Sequence, residues 1–363
     1  MKAIFLFLIL IHGLIHLMGF LKAFTMVELN QLTIEISKPI GLLWLIAAIL
    51  FLFVFLSFLL NQDWWWIPGL IAIVISQLLI MLTWQDAKFG TIANVIVLAG
   101  ALIGYVGWSF NLQTKNDFQI LQSKLNRVDK SEVVTEEMIE DLPLLVQRWL
   151  KNVGVVGKEK INEVSLKQKG LMKLKPSQVK WTTAEAVQYT TVEKPGFLWN
   201  VNMRFLPFLH VIGRDSYIEG KSAMIMKLLS LITVANVSDN WKANESTLQR
   251  YLLEIPWYPS AVLSSFITWE SVDQFSAMAT MTYQGVKGSA IFYFMENGDL
   301  EKISALRFKD IDKNAERVEC IGEIKEQAVV DGITIPTKLH VSWMLKEGKY
   351  TWYKIDVFDV KFN

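Results

Sequence analysis

The chain is short of the features that usually declare an activity. Cys320 is its single cysteine, which excludes an intrachain disulfide and a thiolate metal cluster. Four histidines are present, His12, His16, His210 and His340, and none stands in an H-E-x-x-H arrangement. There is no G-x-S-x-G nucleophile elbow, no cysteine–histidine pairing and no phosphate loop. The formal net charge is +1, so nothing draws the whole molecule to nucleic acid. Charge is also scarce over one stretch: from Met1 to Phe110 it is rare, and from Asn111 onward Lys, Arg, Asp and Glu are common. That composition shift is the clearest boundary in the sequence.

The charge-poor part holds apolar runs from Ala3 to Phe24, Pro39 to Leu60, Trp64 to Trp84 and Thr91 to Phe110. Each has about 20 residues, enough for a helix to cross a hydrocarbon core of ~30 Å. Although Lys2 gives the first run an n-region, no A-x-A-like cleavage site follows it. Trp64, Trp65, Trp66 and Trp84 sit at span ends, where aromatic rings favour the headgroup level. A multi-pass domain of four transmembrane helices over 1–110 is therefore expected. The short loops holding Lys22, Lys38 and Lys88 fall on one side, and the Asn61–Asp63 loop, with no Lys or Arg, on the other. The positive-inside rule puts those lysines in the cytoplasm and the charged half outside it, although Lys2, Lys115, Lys124 and Arg127 point the other way.

His12 and His16 stand at i and i+4 on one face of the first span. Two imidazoles there can bind a metal or haem, or relay protons. They can equally hydrogen-bond to a neighbouring helix, with Gly13 and Gly19 permitting close approach. A second polar set, Gln85, Asp86, Lys88, Thr91 and Asn94, spans the end of the third run and the start of the fourth. Asp86 belongs at an interface and the histidines at mid-span, so the interhelical reading is the better supported one.

Residues 111–157 read as a polar linker and an amphipathic helix capped by Thr135 and stopped at Gly154, with Pro143 able to kink or restart it. From 158 to 363 the period changes to two. "INEVSLKQKGLMKLK", "QVKWTTAEAVQYTTVEKPG" and "VKGSAIFYFMENGDL" are typical, and "GKYTWYKIDVFDVKFN" reads as a final edge strand. Gly298, Gly332 and Gly348 follow Asn, Asp and Glu, as in tight hairpins. The alternation stops over 244–266, where a helix from Glu245 to Glu254, a Pro-bounded turn and a second short helix are expected. The fold class is thus a helical membrane domain plus an α+β domain. The latter is a curved antiparallel half barrel of about 10–11 strands around an inserted helical plug.

Several blocks, among them "PGFLWNVNM", "GRDSYIEGKSAM" and "LQRYLLEIPWYPSAVL", resemble a bacterial family of membrane-anchored domains of unknown function, over Leu144 to Asn363. Its R-Y-L-x-E-x-x-W-[FY]-P signature is carried here by Arg250, Tyr251, Leu252, Glu254, Trp257, Tyr258 and Pro259. The resemblance implies a membrane-anchored domain and supplies no catalytic mechanism. The strand–helix–strand order is also similar to the LolA-like lipoprotein-carrier half barrel, an analogy of fold alone.

Candidate site residues follow from that plug. Arg250 and Glu254, at i and i+4, fall beside the apolar face formed by Leu248, Tyr251, Leu252 and Ile255. They are either an exposed pair or rim groups for a polar head. His210, Arg214, Asp215 and Tyr217 lie near the end of a strand, where an Arg–Asp pair beside a His suits acid–base work or a simple turn. Trp257 and Tyr251 would line the mouth of the cup, with methionines as adaptable walls. The favoured reading is a binding module rather than an enzyme. It would be anchored in the cell membrane and take a lipid or other apolar ligand, with no cofactor and no nucleic-acid partner. The alternatives are a metal or haem redox protein using His12 and His16, and an envelope module that binds another protein.

Overall fold

The computed structural model describes residues 2–27, 32–123, 132–206 and 209–363. The chain divides into two compact units, Met1–Gln113 and Thr114–Asn363.

The first unit contains α1 (Lys2–Ala23), α2 (Lys38–Leu59), α3 (Trp66–Leu82), the single turn α4 (Trp84–Ala87) and the start of α5 (Gly90–Ser123). Three of these, α1, α2 and α5, are long and apolar enough to cross a membrane. The third expected span is shorter than the sequence suggests. α3 has 17 residues, a rise of roughly 25 Å, because the chain breaks at Thr83 and restarts as α4. Large apolar side chains face outward along these helices, among them Ile4, Phe7, Ile46, Ile71 and Leu78, while Ile9, Phe51, Val54, Ala72 and Val97 pack inside. α1 and α2 lie close enough that a Cβ on Gly13 would come within 2.8 Å of Phe51 Cβ, and one on Gly19 within 2.2 Å of the Trp44 ring. Small residues at such crossings let backbones approach, the role expected of these glycines.

The composition shift near 110 does not end a helix. α5 continues through it to Ser123, so the expected linker begins helical. Further on, Thr135 caps no long helix. A short 3-10 turn covers Glu137–Ile139, and Pro143 restarts the chain as α6 (Leu144–Asn152). Proline lacks the amide that a continuous helix would need there. Gly154, at φ +76°, supplies the expected stop.

The second unit is built on one antiparallel sheet. Its strands before the insert are β1 (Glu163–Met172), β2 (Thr182–Thr191), β3 (Gly196–Leu206), β4 (Leu209–Ile218), β5 (Lys221–Leu228) and β6 (Ile232–Ser238). After it come β7 (Ile267–Asp273), β8 (Ser276–Tyr283), β9 (Val286–Phe294), β10 (Leu300–Phe308), β11 (Arg317–Val330), β12 (Ile333–Leu345) and β13 (Gly348–Phe362). The sheet has 13 strands, more than expected, in the order β6-β5-β4-β3-β2-β1-β13-β12-β11-β10-β9-β8-β7. Two strand meanders thus meet where the first and last strands pair, from Val164↔Phe362 to Met172↔Tyr353. β13 is the central strand and not the edge that its position in the sequence suggested. The true edges are β6 and β7, the two strands that flank the insert.

The insert is α7 (Trp241–Glu254) followed by 3-10 turns at Ile255–Trp257 and Pro259–Leu263. It starts four residues before Glu245, because Asn240 accepts hydrogen bonds from the amides of Lys242 and Ala243. α7 packs on β4 and β5 of one flank and on β8, β9 and β10 of the other. Strands so far apart in the sheet can share one helix only if the sheet curls around it. Leu248, Tyr251, Leu252, Ile255, Trp257 and Tyr258 then join the core that lines the concave face. The polar side of α7 is covered too. Lys242 donates to the carbonyls of Asp312, Lys313 and Ala315, Ser246 to that of Phe308, and Gln249 to those of Ser289 and Leu306.

The topology makes a direct prediction. A chain ending after Leu345 lacks the strand that joins the two meanders. Its sheet unit should lose protease resistance and cooperative unfolding altogether, as followed by limited proteolysis and circular dichroism. A true edge strand would leave most of the sheet intact.

Candidate functional site

Among the described residues two buried polar clusters stand out, one in each unit. In the first, α1, α3 and α5 each supply hydrogen-bonding side chains. His12 Nε2 lies 2.9 Å from Asn94 Oδ1, and His16 Nε2 lies 2.9 Å from Ser76 Oγ. His16 Nδ1 sits 2.7 Å from the His12 carbonyl, a bond within α1. Asn94 donates to Ser76 Oγ and to Gln77 Oε1, each at 3.0 Å. The rings of His12 and His16 meet edge to face at 4.7 Å. Asn94 is therefore the bridge between helices, and Asp86 is not. Asp86 instead accepts from the amides of Thr33 and Ile34 and from the Thr33 hydroxyl, which ties the α1–α2 connection to α4. Those bonds, led by that from Ile34, hold its carboxyl below the usual range. Among the described residues no group of three or more His, Cys, Asp or Glu is placed to hold a metal ion.

Beside this cluster runs a groove of about 580 Å³. Its walls are Ile11 and Ile15 of α1, Trp44 of α2, Ile80 of α3, and Gly90 and Ala93 of α5, with His12, His16 and Asp86 as its polar groups. A mostly apolar cleft of this size with a few fixed polar groups is the usual character of a small-molecule site. Periodicity alone did not reveal it. The runs show which stretches are apolar, whereas the groove depends on which residues of four helices come together.

The second cluster lies under the sheet. Arg250 Nη1 donates to Asp215 Oδ2 at 2.6 Å, and Nε donates to Glu254 Oε1 at 2.7 Å. Gln188 donates to Glu254 Oε2 at 2.6 Å. From there the network runs through Gln168, which accepts from Trp199 Nε1 and Tyr353 Oη at 2.9 and 3.0 Å. The Arg250 guanidinium also stacks over Phe197 and Trp199, 4.6 and 5.0 Å from the ring centres. The three charged side chains are only 18%, 18% and 12% exposed for Arg250, Asp215 and Glu254. They are thus not the exposed pair or rim groups that helical spacing suggested. Burial pushes the Asp215 carboxyl up, and the facing Arg250 only partly offsets this. Burial also works against the guanidinium, but Glu254 and Asp215 outweigh it and keep Arg250 charged.

Other expected site residues disperse. Asp215 lies within β4 and not in a turn, sharing its inward parity with Val211 and Tyr217. Arg214, of the opposite parity, pairs with Asp117 at 2.9 Å, so the two neighbours serve different faces. His210 Nε2 meets Ser230 Oγ at 3.1 Å, and burial lowers its pKa. Tyr251 and Trp257, expected at the mouth of the cup, are buried at 0% and 3% exposure. Tyr251 donates to the Thr191 carbonyl and Trp257 to that of Pro336. Sequence reasoning missed Gln168 and Gln188, although a signal was present. Gln168 stands on the inward parity of Val164, Leu166 and Met172, and Gln188 on that of Ala184 and Ala186. A polar residue on an apolar parity marks a buried network.

Residues 140–362 match a family of unknown function, DUF6920, and the chain belongs to that family. No curated protein matches the chain. Among solved structures, the crystal structure of a LolA superfamily protein from Nitrosomonas europaea is similar at 7% identity and a TM-score of 0.33. The match covers 60% of this chain and 92% of that one.

Two variants test the clusters. Arg250→Ala leaves two buried carboxylates without their cation and should cost about 3–5 kcal/mol, lowering the unfolding midpoint by on the order of 10 °C. A carboxyl whose folded pKa lies above its unfolded value loses stability as pH rises through that window. The deficit of Arg250→Ala should therefore be small near about pH 4 and grow toward neutrality, in thermal melts taken across pH. Asn94→Leu strips partners from His12, Ser76 and Gln77, and should cost about 1–2 kcal/mol in detergent melts.

Proposed function

We propose that the protein is a membrane-anchored binding module for a lipid or other apolar ligand, and that the groove between α1, α2, α3 and α5 is where the ligand sits. The carrying observation is the groove itself: about 580 Å³, walled by apolar side chains, with His12, His16 and Asp86 as its few polar groups. It suits an acyl or comparable apolar chain, whose entry from a bilayer costs no exposure of apolar surface to water.

In the sheet unit the charges expected to hold a polar head, Arg250, Glu254 and Asp215, are already paired with one another. On this reading that cluster locks the insert under the sheet. Helices of the first unit provide the anchor, and three of them, α1, α2 and α5, are long enough to span while walling the groove.

Native mass spectrometry of the full chain, released from its own membrane, tests this reading. Wild-type protein should carry an extractable lipid or apolar molecule. Ala93→Trp and Ile11→Trp, which fill the groove, should release it, while Arg250→Met should retain it. An apolar adduct unaffected by either tryptophan contradicts the assignment. A bound metal or haem lost on His12→Ala would transfer the function to redox chemistry.

A further inference from the structure

Within the β1–β6 meander, one end differs from the other. Strands alternate in direction, so the β1–β2 and β5–β6 connections emerge at the same end of this meander. The pairs Met172↔Thr182, Thr183↔Arg204, Arg204↔His210 and Val211↔Leu228 bring their ends level. Exposed apolar side chains gather there: Leu174 and Val179 from the first connection, Leu231 from the third, and Ile232 and Val234 from the start of β6. Val179 is 86% exposed and Ile232 58%.

The charge at this end has one dominant sign. Lys173, Lys175 and Lys180 lie in the first connection, Arg204 lies in the last part of β3 and Lys227 is the penultimate residue of β5, while residues 171–182 and 225–237 contain no Asp or Glu. Glu185 faces Arg204 at 3.5 Å as the local counter-charge. Trp181 sits at the edge of the patch, with the ammonium groups of Lys173 and Lys354 at 4.8 and 4.9 Å from its ring. At the opposite end of these strands the connections are of mixed charge, with Glu193 beside Lys194, then Glu219, and Asp239 paired with Lys221.

We propose that the β1–β2 and β5–β6 tips form a contact surface for an anionic bilayer. Apolar side chains, a tryptophan and interleaved lysines are the composition that seats at a membrane interface, where the rings and aliphatic groups enter the headgroup layer and the ammonium groups meet lipid phosphates. Charge complementarity selects the anionic surface. The same chain carries three helices long and apolar enough to cross a membrane. The sheet unit thereby gains a second attachment besides its covalent link to the helices.

The test uses the full chain in vesicles, with Ile232→Cys labelled by an environment-sensitive fluorophore and Glu193→Cys as the opposite-end control. Native Cys320 is buried. In vesicles containing phosphatidylglycerol the 232 probe should shift to the blue and be shielded from acrylamide, while the 193 probe stays accessible. High salt should expose the 232 probe, since surface attraction is screened. Replacing Lys173, Lys175 and Lys180 by Gln should lower the ratio of shielded to exposed probe on the order of 100-fold, roughly fivefold for each lysine. Equal accessibility at 232 in phosphatidylglycerol and pure phosphatidylcholine vesicles overturns the proposal. So does shielding that persists in detergent and rises with protein concentration, which would mark the patch as a contact between copies of the chain.

Discussion

The pairing of β1 with β13 is the constraint on which the sheet unit depends. It joins residues from opposite ends of that unit, Val164 with Phe362 and Met172 with Tyr353, and fuses two meanders into one sheet. Because the strands flanking the insert become the edges, the chain between them must cross from one edge to the other. That crossing is α7 and its 3-10 turns, so the topology itself places a helix under the sheet. A polar helix in that position must satisfy its donors and acceptors without water. Lys242, Ser246 and Gln249 do so on strand and loop carbonyls, and Arg250 does so on Asp215 and Glu254.

The same demand shapes the helical unit. His12, His16, Ser76, Gln77 and Asn94 are polar groups among apolar helices, and each finds its partner on another helix or on its own backbone. With the polar groups turned toward one another, the remaining wall of the groove is apolar. A buried polar knot next to an apolar groove is the arrangement that supports placing the ligand there and reading the charge cluster of the sheet unit as a lock.

Much of this was legible in the residues, and the exceptions have physical causes. Apolar runs located the long helices, and period-two alternation located the sheet unit, with hairpins at Gly298, Gly332 and Gly348, all at positive φ. The central place of β13 was not legible, because alternation reports which faces are buried and not which strands are neighbours. The extension of α5 past Phe110 was missed because a change of solvent preference does not require a change of backbone. Helical spacing puts Arg250 and Glu254 beside the apolar stripe of α7. Their burial comes from a sheet that curls over the flank of that helix, a property of the tertiary fold. Gln168 and Gln188 were visible as polar intruders on inward parities, but strands far apart in sequence had to be aligned before they formed a network.

The central claim, an apolar ligand held between the membrane helices, is tested most directly by photocrosslinking the full chain in its bilayer with a diazirine-bearing fatty-acyl lipid and mapping the labelled peptides. The account predicts adducts concentrated on the groove-facing residues of α1 and α5, around Ile11, Ile15 and Ala93, and reduced when Ala93→Trp fills the groove. Adducts spread evenly over the lipid-facing residues of all helices, or gathered in the sheet unit around Arg250 and Trp257, would contradict it.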